Sequence, residues 1–161
     1  MPPPILDVAY GSDLHQKLDV YLPTFKPYDT VILFWHGGTW RRGDKRRYRF
    51  IGRTLAAMGY TAVLPNYRLY PAVTFPAFIE DAAAAVQWVE REHHPRRIFL
   101  MGHSAGAHIA AVLALDNRYF KALPAPHPRI AGFIGLAGAY NPKRWGGNVA
   151  LGDGDPTRWN P

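Results

Sequence analysis

The chain predicts an α/β fold: a mostly parallel sheet with helices on both faces and an antiparallel hairpin at its N-terminal edge. Three observations carry this. Apolar runs of strand length alternate with segments of helical periodicity, four strands deep. The runs are apolar at nearly every position, as strands covered on both faces must be. The stretch before them instead alternates apolar and polar residues across a Gly-Ser-Asp break, the pattern of a hairpin with one solvated face. The 161 residues are 48% hydrophobic and 14% aromatic, enough for one sizeable core, so residues 1–161 read as a single domain.

The elements follow in order. Leu6–Tyr10 and Lys17–Leu22 form the hairpin around Gly11-Ser12-Asp13, and Pro23 and Pro27 mark a loop. Thr30–Trp35, β-branched at its start, is a central strand running into His36-Gly37-Gly38-Thr39-Trp40. Phe50, Ile51, Leu55 and Met58 form a helical stripe that Gly59 stops. Tyr60–Leu64 is a buried strand ended by Pro65. A long helix starts at Phe75-Pro76, with Phe78, Ala82, Ala85, Val86 and Val89 on one face, and Pro95 ends it. Ile98–Met101 is the next strand, and the alanine-rich helix after it runs to about Leu115. Pro124, Pro126 and Pro128 punctuate a loop before a last apolar strand, Ile130–Ala139. From Tyr140 onward no periodic element is evident.

Composition narrows the function classes. The absence of cysteine excludes disulfides, thiolate zinc sites and cysteine nucleophiles. Met1-Pro2-Pro3-Pro4 lacks the charged and apolar regions of a signal peptide, and no apolar run reaches membrane-spanning length, so a cytoplasmic protein without a membrane partner is expected. The net charge of +7 is concentrated in Arg41-Arg42-Gly43-Asp44-Lys45-Arg46-Arg47-Tyr48-Arg49. No nucleic-acid reading element accompanies it, so nucleic acid is not expected as a partner and the run reads as a solvated loop and first helical turns.

Chemistry concentrates in Gly102-His103-Ser104-Ala105-Gly106, a G-x-S-x-G sequence between a strand and a helix. On so tight a turn the serine is forced into strained dihedrals, and Gly102 and Gly106 allow the two arms to approach. The hydroxyl of Ser104 is pushed out above the sheet, and the helix N–H groups face any anion forming there. In open parallel sheets the reactive site lies beyond the carboxyl ends of the strands. The loops after Trp35 and after Met101 both sit at that end.

Four stretches together resemble the α/β-hydrolase superfamily, in its esterase and arylformamidase-like branch related to hormone-sensitive lipase. They are Leu18-Asp19-Val20-Tyr21-Leu22-Pro23, His36-Gly37-Gly38-Thr39-Trp40, Asn66-Tyr67-Arg68-Leu69 and Gly102-His103-Ser104-Ala105-Gly106, in the expected order. The resemblance implies a carboxylesterase acting on small acyl esters through an acyl-enzyme at Ser104, without metal or organic cofactor. The backbone N–H groups of Gly37, Gly38 and Ala105 would form the oxyanion hole. Thr39, Trp40 and His103 are possible pocket residues, and Trp35 adds to an apolar site. Thr39 stands where the branch often has a third glycine. His36 braces the loop, Asn66 and Arg68 are structural, and Arg68 pairs with Asp81. An aryl formamide is the alternative substrate under the same mechanism.

In this superfamily the carboxylate and the histidine of the triad follow the serine. After Ser104 the histidines are His108, on a helix that packs on the sheet, and His127, in a proline-rich loop; Asp153 and Asp155 lie in a turn-forming Gly-Asp-Gly-Asp-Pro sequence. None makes a well-placed pair. The chain therefore reads as lacking the last strands with their Asp and His. Three readings stay open: a truncated esterase completed by another polypeptide, a small hydrolase with an improvised base such as His103, His108 or His127, and a non-catalytic binding module. An exposed Ile130–Ala139 edge would favour self-association or pairing with a complementing C-terminal fragment.

Overall fold

The computed structural model describes residues 2–25, 28–124 and 126–141. Six strands form one sheet: β1 (Ile5–Ala9), β2 (Lys17–Tyr21), β3 (Thr30–Trp35), β4 (Thr61–Pro65), β5 (Arg97–His103) and β6 (Ile130–Leu136), in the spatial order β1-β2-β4-β3-β5-β6. β1, β2 and β4 pair antiparallel, whereas β4, β3, β5 and β6 run parallel. The helices are α1 (Arg49–Ala57), α2 (Ala77–His93), α3 (Ala105–Leu115) and the one-turn α4 (Arg118–Lys121).

Strand alternation assigns each side chain to a layer. Val31, Leu33 and Trp35 of β3, with Val63 of β4 and Ile98 and Leu100 of β5, face Phe78, Ile79, Val86, Val89 and Ile109 of α2 and α3. Phe34, with Ala62 and Leu64, faces the other way, onto Ala56, Ile51 and Leu55 of α1. The helices thus cover both faces, and every residue of β3 and β4 is buried. Each large apolar side chain so enclosed contributes about 1.5–3 kcal/mol of burial free energy, which makes these two strands the stable centre. No helix among the described residues is long and apolar enough to cross a membrane.

The register levels the strand ends. Trp35 lies opposite Gly102, and His103 lies opposite Leu136, so β3, β5 and β6 finish together and place residues 36–40 beside residues 103–106. β6 is shorter than the sequence predicts. It stops at Leu136 because Ala137 takes a left-handed φ of 49°, which turns the chain off the sheet. β6 is also an edge strand, with Phe133, Ile134 and Leu136 exposed to 39%, 43% and 38%.

Candidate active site

β5 delivers Ser104 onto a turn that only a specific set of neighbours allows. Its φ of 52° and ψ of −114° lie outside the regions comfortable for a residue with a Cβ. Two contacts hold it there: its N–H donates to the Leu136 carbonyl at 2.8 Å, and its own carbonyl accepts the His108 N–H at 3.1 Å, starting α3. A Cβ on Gly102 would come within 2.2 Å of the Gly106 carbonyl oxygen, and one on Gly106 within 2.1 Å of the Trp35 carbonyl oxygen. The sharp elbow therefore depends on both glycines. The Ser104 side chain makes no capping hydrogen bond to α3, so helix capping does not account for a serine here.

The loop after β3 closes over the elbow. A Cβ built on Gly37 would lie 3.1 Å from Ser104 Cβ and 2.8 Å from His103 Nδ1, so the bare backbone at Gly37 faces the serine. The loop doubles back because the Arg41 and Arg42 amides both donate to the Gly38 carbonyl, each at 3.1 Å. Thr39 and Trp40 sit at left-handed φ values of 54° and 60°, and Thr39 Oγ1 donates to the same Gly38 carbonyl at 2.7 Å. The Gly37 N–H points to the Tyr48 hydroxyl at 3.4 Å, whereas no acceptor among the described residues takes the amide of Gly38 or Ala105.

The reading of Trp35 and Trp40 as walls of an apolar site needs correction. Both indoles are fully buried core. Trp35 falls on the α2–α3 side of the sheet by strand alternation, and the left-handed turn at residue 40 folds Trp40 inward, stacked on Phe78 and edge-on to His108. Thr39 and His103 remain half-buried at the surface of the site.

The histidines separate by position. His36 is buried, stacked on Tyr67 with ring centroids 4.5 Å apart, and its Nδ1–H donates to the Gly37 carbonyl at 2.9 Å. Burial lowers its pKa, keeping it neutral in this bracing role. His108 is enclosed within α3 against Trp40. His127 lies with Asp29, Arg96, Arg97 and Arg129 at the opposite end of the sheet, where β3 and β5 begin. Asp153 and Asp155 fall outside the described residues.

A polar frame ties the loop to the sheet. Asn66, just past β4, accepts the Lys45 N–H at 2.7 Å and donates to Asp44 at 3.2 Å. Arg68 forks onto Asp81 with contacts of 2.6 to 3.1 Å, and Gln16 is a second partner for that buried carboxylate. The basic run is not wholly solvated, as its sequence suggests. Lys45 is 3% exposed, and its ammonium donates to Asp19 at 2.5 Å and to Asp7 at 2.6 Å, linking the loop to the N-terminal hairpin. Neither Lys45 nor Tyr48 stands out in the sequence, because a basic run bears no mark of which member turns inward.

The frame has an acid limit. Burial opposes the ionisation of Asp44, but hydrogen bonds from Arg46 and Asn66 outweigh it and bring the carboxyl from 3.8 down to about 2. A carboxylate with a depressed folded-state pKa stabilises the fold above its unfolded value and loses that contribution as pH falls through the folded one. Asp44→Asn is therefore expected to flatten the fall in melting temperature from 3.8 down to about 2 on the pH scale. Thermal melts followed by circular dichroism across that window check this; an unchanged slope would reject it.

Comparison with known proteins agrees with this geometry. The BD-FAE family profile matches residues 18–128. The chain is similar to the isoprenylcysteine alpha-carbonyl methylesterase of Arabidopsis thaliana, 32% identical over 147 residues that make up 83% of this chain and 34% of the relative. It is also similar to the kynurenine formamidase of Danio rerio, 31% identical over 140 residues, 85% of this chain and 46% of the relative. It thus spans between a third and a half of the length of these two relatives. Among solved structures, esterase B from Lactobacillus rhamnosis, inhibited by a tributyrin phosphonate, superposes with a TM-score of 0.83 at 23% identity. That superposition covers 98% of this chain and 59% of the esterase, and the likeness is one of fold. Because the matched span takes in both the Gly37–Gly38 loop and the Ser104 elbow, the chain belongs to the BD-FAE family, among the α/β-hydrolases of esterase and arylformamidase type.

Proposed function

We propose that the chain carries the nucleophile and oxyanion hole of a carboxylic ester hydrolase acting on small acyl esters. Ser104 Oγ attacks the ester carbonyl, the alcohol leaves with a proton, and water then releases the acid from the acyl-enzyme. The developing oxyanion is received by the amides of Gly37, Gly38 and Ala105. The observation that carries this reading is the strained Ser104 turn facing the bare backbone of Gly37, at 3.1 Å from Ser104 Cβ to the missing side chain. The Gly37 amide has a neutral acceptor at the long distance of 3.4 Å, and a charged oxygen would bind it about twice as strongly.

An aryl formamide is the second substrate under the same mechanism, supported by the similarity to the Danio rerio formamidase. The base that takes the Ser104 proton is assigned to polypeptide outside the described residues. His36 is committed to the loop carbonyl and His103 to Tyr48, and neither pairs with a carboxylate among the described residues. The exposed apolar side chains of β6 support pairing of that edge with a second copy or with a complementing fragment.

Incubation with a fluorophosphonate, followed by peptide mapping, tests the assignment. Label is expected on Ser104, together with turnover of a chromogenic short-chain ester. Label without turnover would mean a working nucleophile without a base for deacylation. Absence of both would leave a fragment that needs its completing part, or a binding module.

A further inference from the structure

The two halves of the site arrive on different strands, and beyond strand pairing the Tyr48 hydroxyl hydrogen-bonds to both. Tyr48 Oη lies 2.8 Å from His103 Nδ1, the residue before the nucleophile, and 3.4 Å from the Gly37 amide. The arrangement that satisfies both partners has the hydroxyl donating to His103 Nδ1 while its oxygen accepts the Gly37 N–H, which leaves the neutral imidazole with its proton on Nε2.

Tyr48 is itself held in place. It closes the 3₁₀ turn that begins at Lys45, and Lys45 is pinned by Asp7, Asp19 and Asn66. Its ring packs against Phe34 at 5.0 Å and stacks with Phe50 at 6.2 Å. On the other side there is no slack. The missing Gly37 side chain would meet His103 Nδ1 at 2.8 Å, its carbonyl at 3.0 Å and Ser104 Cβ at 3.1 Å. A small outward movement of the loop would therefore widen the gap between the amides and the serine directly.

We propose that Tyr48 is a positioning residue that braces the Gly37–Gly38 loop against the His103–Ser104 elbow and so sets the spacing between nucleophile and oxyanion donors. This rests on the hydrolase reading of Ser104. Substrate binding does not require the hydroxyl; alignment of the reacting atoms does, so the effect falls on the chemical step.

The test is the rate of fluorophosphonate labelling of Ser104 in the full chain, separated into kinact and KI. Tyr48→Phe is expected to lower kinact about tenfold with KI unchanged, as loss of one hydrogen-bonding hydroxyl implies. His103→Ala is expected to lower kinact as well, and the double variant to lose no more than Tyr48→Phe alone, because that variant already lacks the bond to His103. Wild-type kinact in Tyr48→Phe, or losses that multiply in the double variant, would overturn the brace. A wild-type chain that takes no label bears on the hydrolase reading instead, leaving a chain without its base or a binding module, and does not touch the brace. The brace is then decided by the 15N signals of the His103 imidazole. Tyr48→Phe moves them if the bond exists, and their constancy overturns it.

Discussion

Replacing Ser104 by glycine is expected to stabilise the fold by about 1 kcal/mol while abolishing fluorophosphonate labelling. A Cβ-bearing residue at φ 52°, ψ −114° carries strain on the order of 1–3 kcal/mol. Glycine populates positive φ freely, and part of the gain is offset by the greater freedom of the unfolded chain, by roughly 0.5–1 kcal/mol. The anchoring contacts of the turn are backbone groups, the Ser104 N–H to Leu136 and the Ser104 carbonyl to His108, and glycine retains both. The melting temperature should rise by about 2–4 °C. Ser104→Ala, which keeps the Cβ and hence the strain, should lose the label without that rise. A glycine variant less stable than the alanine variant would show that the turn is not strained by its side chain.

The second large effect lies away from the chemistry. Lys45→Met is expected to destabilise the fold by about 3–5 kcal/mol, because it removes the cation from a buried carboxylate. The side chains of Lys45 and Asp19 are 2% and 1% exposed, so water cannot replace the lost ammonium, whereas the 64% exposed side chain of Asp7 can be rehydrated. The penalty therefore sits on Asp19. A drop in melting temperature on the order of 10 °C should follow, with much of it recovered in the double variant Lys45→Met, Asp19→Leu, where no buried charge remains. If the single variant melts with the wild type, the ion pair is not buried in solution. The same substitution loosens the base of the loop that presents Gly37, so stability and labelling rate should fall together.

Much of the fold could be read from local patterns. β3 was legible to the residue because an unbroken apolar run of strand length has few other solutions. The ends of α1 and α2 follow from Gly59 and Pro95, one a helix stop and the other lacking the amide a helix needs. The last strand was overestimated because a run of alanine and glycine, Ala137-Gly138-Ala139, is equally apolar in a strand or in the left-handed turn it takes. The elbow was legible because G-x-S-x-G between a strand and a helix states its steric requirement in the sequence. The inward lysine was not: Asp19 betrays its partner only once β2 is known to put Leu18 and Val20 on one face and Asp19 on the other.

The sequence alone determined the layer order of the fold and the glycine-flanked elbow at Ser104, because apolar periodicity and glycine placement are local constraints. Tertiary structure decided what each candidate side chain does. It sent Trp35 and Trp40 into the core, turned Lys45 onto two carboxylates and set Tyr48 between the Gly37 amide and His103. The Lys45 and Tyr48 contacts join residues 11 to 55 positions apart, and such distances close only when the strands take their places in the sheet.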